Sequence, residues 1–167
     1  MFQHLAVHSR IVVTGPQRSG TRIAAQMIAA DTGHEFVDEF AFSIKDDVEF
    51  RKILQRDRVV VQAPHMLKDV VDDPPAGIFV VLMRRDLEQV HASARRIRWA
   101  EELGGNTTEL RKFGLTEGDS ATVKYAYWDT HDKSVPFLEL DYGSLQAHPL
   151  YIPAEQRQNF GPLQTQP

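Results

Sequence analysis

Two short stretches of the sequence carry side chains suited to binding an anion. The first reads GPQRSGTR and follows an apolar run at residues 11–13. Gly15 and Gly20 allow the backbone to turn tightly and to present N–H groups, and the helix expected after them adds the positive end of its dipole. Arg18 adds a cation whose planar fork fits phosphate or sulfate oxygens. The candidate binding residues of this loop are Gly15, Pro16, Gln17, Arg18, Ser19, Gly20, Thr21 and Arg22.

This loop departs from the usual nucleotide-hydrolysing pattern, G-x-x-x-x-G-K-[ST], in which a lysine follows the second glycine. The two glycines have the expected separation, but Thr21 stands where that lysine belongs. We interpret Arg18 as a replacement for the lysine charge from inside the loop. The competing interpretation is a tight strand-to-helix turn that happens to contain an arginine.

The second stretch reads VVLMRRDLEQVHASARRI and begins with an apolar strand pattern. Arg85 lies at the expected end of that strand, and Ser93 follows eight residues later. Because residues seven or eight apart share one face of a helix, both side chains can meet one ligand phosphate. The competing interpretation is a solvated basic helix, since the stretch contains Arg84, Arg85, Arg95, Arg96 and Arg98.

Two residues at expected strand ends are candidate bases. His65 follows the strand RVVVQAP, and Glu39 ends the short segment HEFVDE. A histidine transfers protons readily near neutral pH, and a carboxylate does so when its environment favours it. The residues alone do not choose between them. Asp38 is a lesser candidate, and Lys68 would supply positive charge only if the turn after the strand folds back.

The motifs resemble those of the sulfotransferase family. GPQRSGTR is similar to the family's 5′-phosphosulfate loop, and Arg85, Asp86 and Ser93 match its 3′-phosphate motif, R-D-x-x-x-x-x-x-S after a strand. The stretch VPFLELDYGSLQAHP resembles the family's late strand, with imperfect agreement. The resemblance implies 3′-phosphoadenosine 5′-phosphosulfate as cofactor, 3′,5′-adenosine bisphosphate as product, and no metal.

The resemblance also bears on the base. His65 occupies the histidine position of the family's K-x-H motif, but Ala63 stands at its lysine position. Some branches of the family use a glutamate from the region of Glu39. With Arg18 contributing charge, the implied catalytic residues are Glu39, His65 and Arg18. The implied cofactor-binding residues are the loop residues 15–22 together with Arg85 and Ser93.

Composition excludes several other classes of protein. The 167 residues have a net charge of −4 and contain no cysteine, which rules out disulfides, thiolate metal sites and a cysteine nucleophile. A generally basic nucleic-acid-binding surface is not expected at this charge. The first ten residues do not have the pattern of a signal peptide, and no apolar run approaches the roughly 18 residues of a membrane helix. We expect a cytoplasmic protein whose partners are a nucleotide and an unknown acceptor.

The secondary-structure pattern alternates strands with helices. Strands are expected at residues 10–14, 34–39, 58–62, 78–83 and 135–140, and helices at 22–31, 45–55, 87–102 and 121–132. We expect a mobile loop at about 105–118 and a loosely structured tail at 152–167. The alternation predicts one domain over 1–167 with a three-layer, P-loop-like α/β fold, in which helices cover both faces of a mainly parallel sheet. Ligands of such sheets bind at the carboxyl ends of the strands.

The leading hypothesis is therefore a sulfotransferase-like enzyme that transfers a sulfuryl group to a hydroxyl or amine acceptor. One alternative is an atypical P-loop nucleotide kinase or NTPase. This alternative lacks the lysine after Gly20, and the strand VVLM ends in Arg84 rather than in an aspartate for magnesium. Another alternative is a non-catalytic nucleotide-binding module of the same fold.

Overall fold

A five-stranded parallel sheet forms the centre of the molecule. The computed structural model describes residues 1–42, 47–97 and 105–153. The strands are β1 (Arg10–Thr14), β2 (Glu35–Val37), β3 (Val59–Gln62), β4 (Phe79–Arg84) and β5 (Phe137–Asp141), in the order β2-β3-β1-β4-β5. Every neighbouring pair is parallel. The glycine-bounded loop leaves the central strand, so it lies in the middle of the sheet's carboxyl edge.

Six helices surround this sheet in the described part of the chain. They are α1 (Thr21–Thr32), α2 (Val48–Ile53), α3 (Leu67–Asp72), α4 (Leu87–Arg96), α5 (Gly105–Lys112) and α6 (Ser120–Thr130). Short 3-10 turns at Glu39–Ala41, Pro64–Met66 and Tyr142–Ala147 follow β2, β3 and β5. These three turns therefore lie at the same edge of the sheet as the loop between β1 and α1.

Each face of the sheet has its own apolar core, because alternate strand residues point to opposite sides. Val12, Val61 and Val80 contribute to one core, which packs against α2, α3 and α6. Val13 and Val81 contribute to the other, which packs against α1 and the turn after β5. The central strands are buried on both faces, as the continuous apolar runs of their sequence require. The fold is thus a three-layer α/β fold, which confirms the predicted class.

The predicted element boundaries differ from the structure in identifiable places. β1 has the predicted bounds, whereas β2 ends at Val37, so that Glu39 begins a 3-10 turn instead of ending a strand. The loop expected at 105–118 is wrong over its first part, because α5 covers Gly105–Lys112. Leu110 of that helix is 1% exposed, so packing stabilises a segment that its polar sequence did not mark as helical. Three parts of the predicted structure lie outside the described residues. They are the start of the helix expected at 45–55, the end of the helix expected at 87–102, and the tail beyond residue 153.

Candidate functional site

The loop between β1 and α1 is closed by its own hydrogen bonds. Gly15 has a φ of +134°, and a Cβ atom there would lie 2.9 Å from the carbonyl oxygen of Met83, so only glycine fits. The backbone N–H and the hydroxyl of Ser19 both donate to the carbonyl of Pro16, at 3.2 and 2.7 Å. The buried hydroxyl of Ser19 therefore holds the shape of the loop.

Arg18, Ser93 and Arg85 meet at one side of this loop. The Nε of Arg18 donates to the Oγ of Ser93 at 3.1 Å, and the Nη1 of Arg85 donates to the carbonyl of Arg18 at 2.9 Å. Arg18 has a φ of +70°, a left-handed conformation that costs a residue with a side chain about 1–2 kcal/mol. Such conformations concentrate at functional sites. The structure thus brings the two predicted anion-binding stretches into direct contact.

Tyr142 forms a wall of the same region, and the sequence analysis did not single it out. Its ring lies 4.0 Å from the Cζ of Arg85, in a cation–π arrangement. It also covers Gly20, where an added Cβ would lie 2.5 Å from the ring. The phenol of Tyr125 accepts a hydrogen bond from the backbone N–H of Arg85 at 2.9 Å. The stretch VPFLELDYGSLQAHP contains Tyr142, so its resemblance to the family's late strand is a signal that could have singled this residue out.

The second half of the site lies at the ends of β2 and β3. The Nε2 of Gln62 lies 3.4 Å from the hydroxyl oxygen of Thr21 and donates to the Oε1 of Glu39 at 3.1 Å. The Nδ1 of His65 lies 3.4 Å from the Oε2 of Glu39. The two candidate bases are therefore neighbours, and Gln62 connects them to Thr21 in the first turn of α1. Gln62 is a further site residue that sequence reasoning missed.

Access differs between the two candidate bases. His65 is 6% exposed, its ring packs against that of Phe42, and its Nε2 is buried without a hydrogen-bond partner among the described residues. The side chain of Glu39 is 24% exposed. A molecule arriving from solvent would thus meet the carboxylate of Glu39 before the imidazole.

The remaining predicted residues have other partners. The Nη2 of Arg22 lies 2.8 Å from the Oδ2 of Asp38, so these two side chains form an ion pair. Lys68 pairs with Asp72 one turn along α3, and its ammonium lies 5.6 Å from the ring centre of Tyr127. The turn after β3 does not bring Lys68 to the loop, so it does not supply the charge considered for it. It lines a separate cleft of about 310 Å³ together with Asp47, Arg51, Asp69, Asp72, Asp73 and Lys112.

Gln17 connects the loop to the helices that follow β4. Its Nε2 donates to the Oε1 of Glu109 at 2.6 Å, and its Oε1 accepts from the ammonium of Lys124 at 2.6 Å. Glu109 and Lys124 are each about 1% exposed and form an ion pair with each other. Sequence analysis missed both residues, because nothing in the local pattern of α5 or α6 marks a buried charge.

The described residues contain neither a metal site nor a membrane-spanning helix. Within residues 1–42, 47–97 and 105–153, no group of three or more His, Cys, Asp or Glu side chains is arranged to hold a metal ion. Over the same residues, no helix is long and apolar enough to cross a membrane.

Comparisons with known proteins found similarity at the level of structure. No protein-family model matches the chain, and no curated protein sequence matches it. A gluconokinase from Sinorhizobium meliloti 1021 is similar over 80% of this chain and 82% of its own, with 14% identity and a TM-score of 0.46. Shikimate kinase from Acinetobacter baumannii, solved in complex with shikimate, is similar over 77% of this chain and 96% of its own, with 14% identity and a TM-score of 0.42.

Both of these similar structures are kinases, the class named by the alternative hypothesis, and neither is a sulfotransferase. The chain's own structure does define a class: β1, the loop from Gly15 to Gly20 and α1 form a P-loop-like unit at the centre of a parallel α/β fold.

Proposed function

We propose that this protein is a nucleotide-dependent transferase that moves a sulfuryl group from 3′-phosphoadenosine 5′-phosphosulfate to a hydroxyl or amine acceptor. The observation that carries the proposal is the contact between Arg18 of the loop and the Arg85–Ser93 motif of β4 and α4, where β4 is the neighbour of β1 in the sheet. The proposed cofactor has a phosphate at the 3′ position of its ribose and a phosphosulfate at the 5′ position. A site that binds it therefore needs two adjoining sets of anion-binding groups.

The residues at this contact fit a ligand with several anionic groups. Among the described residues, two of the five N–H groups of Arg85 donate to Arg18 and Gln89, and the other three remain for phosphate oxygens. The Oγ of Ser93 accepts from Arg18, and no acceptor for its own hydrogen lies in the described part of the chain. Arg85 and Ser93 would hold the 3′-phosphate, while the Gly15–Gly20 loop and Arg18 would hold the 5′-phosphosulfate. The bound nucleotide supplies an activated sulfuryl group.

We assign the base to Glu39 and a supporting role to His65. The carboxylate of Glu39 is the more accessible of the two groups, and Gln62 and His65 lie against its two oxygens. In the proposed reaction, Glu39 takes the proton from the acceptor's hydroxyl or amine. Gln62 and His65 keep the carboxylate oriented, in the way that second groups orient catalytic bases in other enzymes.

Phosphoryl transfer from ATP is the second candidate, and one contact favours it. Gln62 bridges the hydroxyl of Thr21 and the carboxylate of Glu39, so two oxygen groups of the kind that Mg²⁺ prefers lie on either side of one side chain. In P-loop enzymes the hydroxyl that binds Mg²⁺ follows the lysine, a position that Arg22 fills here, so Thr21 would have to supply it from one residue earlier. A non-catalytic module with the same nucleotide site is the third candidate.

Calorimetric titration separates these candidates. Wild type, Arg85→Ala and the matched control Arg96→Ala would each be titrated with 3′,5′-adenosine bisphosphate and with ATP and magnesium. Arg96 is an exposed arginine at the end of α4, the helix that carries Ser93. We expect the bisphosphate to bind wild type and the control alike, and Arg85→Ala to weaken it at least about tenfold, because a charge-assisted bond to phosphate is lost. Magnesium-dependent preference for ATP would favour phosphoryl transfer. Binding of neither ligand would rule out both nucleotide assignments.

The assignment of the base has its own test. Glu39→Gln keeps the shape of the side chain but removes its basicity. We expect it to slow transfer of the sulfuryl group to water about 10²–10⁴-fold while bisphosphate binding is kept. An unchanged rate in Glu39→Gln would show that Glu39 is not the base.

A further inference from the structure

Lys124 is a buried lysine whose ammonium contacts three different parts of the site. Its ammonium donates to the Oε1 of Gln17 at 2.6 Å and to the carbonyl of Pro64 at 2.8 Å, and it pairs with Glu109. Gln17 belongs to the phosphate loop, whereas Pro64 begins the turn that carries His65. One side chain of α6 thus joins the loop, that turn and α5.

Glu109 completes this network from α5. It accepts from the Nε2 of Gln17 while it pairs with Lys124, so that both ends of the Gln17 amide are held. Lys112, one turn further along α5, donates to the carbonyl of His65 at 2.8 Å. The ammonium groups of Lys124 and Lys112 therefore bind the consecutive carbonyls of Pro64 and His65. The carboxylate of Glu39 also lies close enough to act on the charge of Lys124.

Burying the charges of this network costs free energy of folding. Burial has the largest effect on the pKa of Lys124 and lowers it, even though the charge of Glu109 acts to raise it. A buried ion pair replaced by apolar side chains of similar volume often leaves a protein equally stable or more stable. Stability therefore does not account for a fully buried Lys–Glu pair at this place, whereas a need for fixed geometry between the loop and the turn does.

We propose that Lys124, paired with Glu109, is a positioning residue that fixes the phosphate loop against the turn carrying His65, next to Glu39. The proposal deepens the proposed function and rests on it. Lys124 acts through Gln17 and Pro64, because its ammonium is occupied by these two residues and by its ion pair with Glu109. Its role is to set the distance between the anion site and the base.

The test compares three variants with wild type. Glu109→Leu/Lys124→Met removes both charges and keeps most of the packed volume. Gln17→Leu cuts the link from the loop side and leaves the buried pair intact. Lys133→Met is the control. Like Lys124, Lys133 donates to a backbone carbonyl, that of Trp128, but it is only partly buried and lies beyond the C-terminal end of α6.

Two measurements decide the proposal. The first is amide hydrogen exchange across residues 15–21 in the ligand-free protein, and the second is the dissociation constant for 3′,5′-adenosine bisphosphate. We expect the double variant and Gln17→Leu to exchange these amides at least about tenfold faster, because charge-assisted hydrogen bonds that order the loop are lost. We expect the dissociation constant to rise by about the same factor. Lys133→Met should change neither quantity.

Other outcomes separate the two proposals. Unchanged exchange and affinity in Gln17→Leu would overturn the positioning role, whether or not the double variant folds. A lower melting temperature of the double variant with unchanged exchange and affinity would also overturn it, because that result describes a purely structural pair. If wild type fails to bind the bisphosphate, the proposed function fails, but faster loop exchange in Gln17→Leu and in the double variant would still support the positioning role.

Discussion

Gly20→Ala tests the close approach of Tyr142 to the loop between β1 and α1. Gly20 has a φ of +101°, and its added Cβ would lie 2.5 and 2.8 Å from two ring carbons of Tyr142, which is 7% exposed. The backbone conformation costs alanine about 1–2 kcal/mol, and overpacking a buried ring costs about 1–3 kcal/mol. We therefore expect Gly20→Ala to lower the free energy of unfolding by about 2–5 kcal/mol.

Gly114→Ala separates these two costs. Gly114 also has a positive φ, +73°, but an added Cβ there would meet no atom within 4 Å. Gly114→Ala should therefore lower the free energy of unfolding only by the cost of the backbone conformation, about 1–2 kcal/mol. Urea denaturation followed by circular dichroism gives both values. Truncating the ring in Gly20→Ala/Tyr142→Leu should recover part of the loss in a double-mutant cycle.

Equal losses for Gly20→Ala and Gly114→Ala would refute this reasoning, because the ring contact would then contribute nothing. The cycle supplies a second check. If Tyr142→Leu destabilises the Gly20→Ala protein as much as it destabilises wild type, the ring does not press on the loop. Since Tyr142 also stacks on Arg85, the same variants should bind 3′,5′-adenosine bisphosphate less tightly.

Two further predictions concern the fold. The carboxylate of Asp31 accepts from the terminal amino group and from the N–H of Phe2, and these bonds lower its pKa to about 2. Because the folded pKa lies below the unfolded one, this stabilisation is present above about pH 4 and is lost as the pH falls toward 2. After allowance for solvent screening, Asp31→Asn should lower the free energy of unfolding by about 1 kcal/mol at pH 7. Between pH 4 and 2 the stability of this variant should fall less than that of wild type. Urea titrations at each pH measure both quantities. Leu82→Ala removes a fully buried side chain and should lower the free energy of unfolding by about 2–5 kcal/mol in the same assay. The exposed control Leu115→Ala should lower it by less than about 0.5 kcal/mol. Similar losses for the two variants would contradict the assignment of Leu82 to the core.

The strands were predictable because their signal is local. The central strands are runs of apolar residues, mostly β-branched, that are buried on both faces, so their pattern and their environment agree. The helix α1 was predictable for a similar reason, since Gly33 ends it with a φ of +67° in the position expected for a C-terminal glycine. α5 was not predictable, because its polar sequence gains helical order from packing against the rest of the chain.

The sequence by itself determined the fold class and the positions of the two stretches predicted to bind an anion. Glycine spacing, strand ends and helix faces are properties of the nearby chain, and they were enough to select Arg18, Arg85 and Ser93. Only the tertiary structure decided which groups meet. Gln17 reaches Glu109 and Lys124 across 92 and 107 residues, and the relative access of Glu39 and His65 depends on the elements packed around them. Burial and partner choice arise from chain segments far apart in sequence, so no local pattern records them.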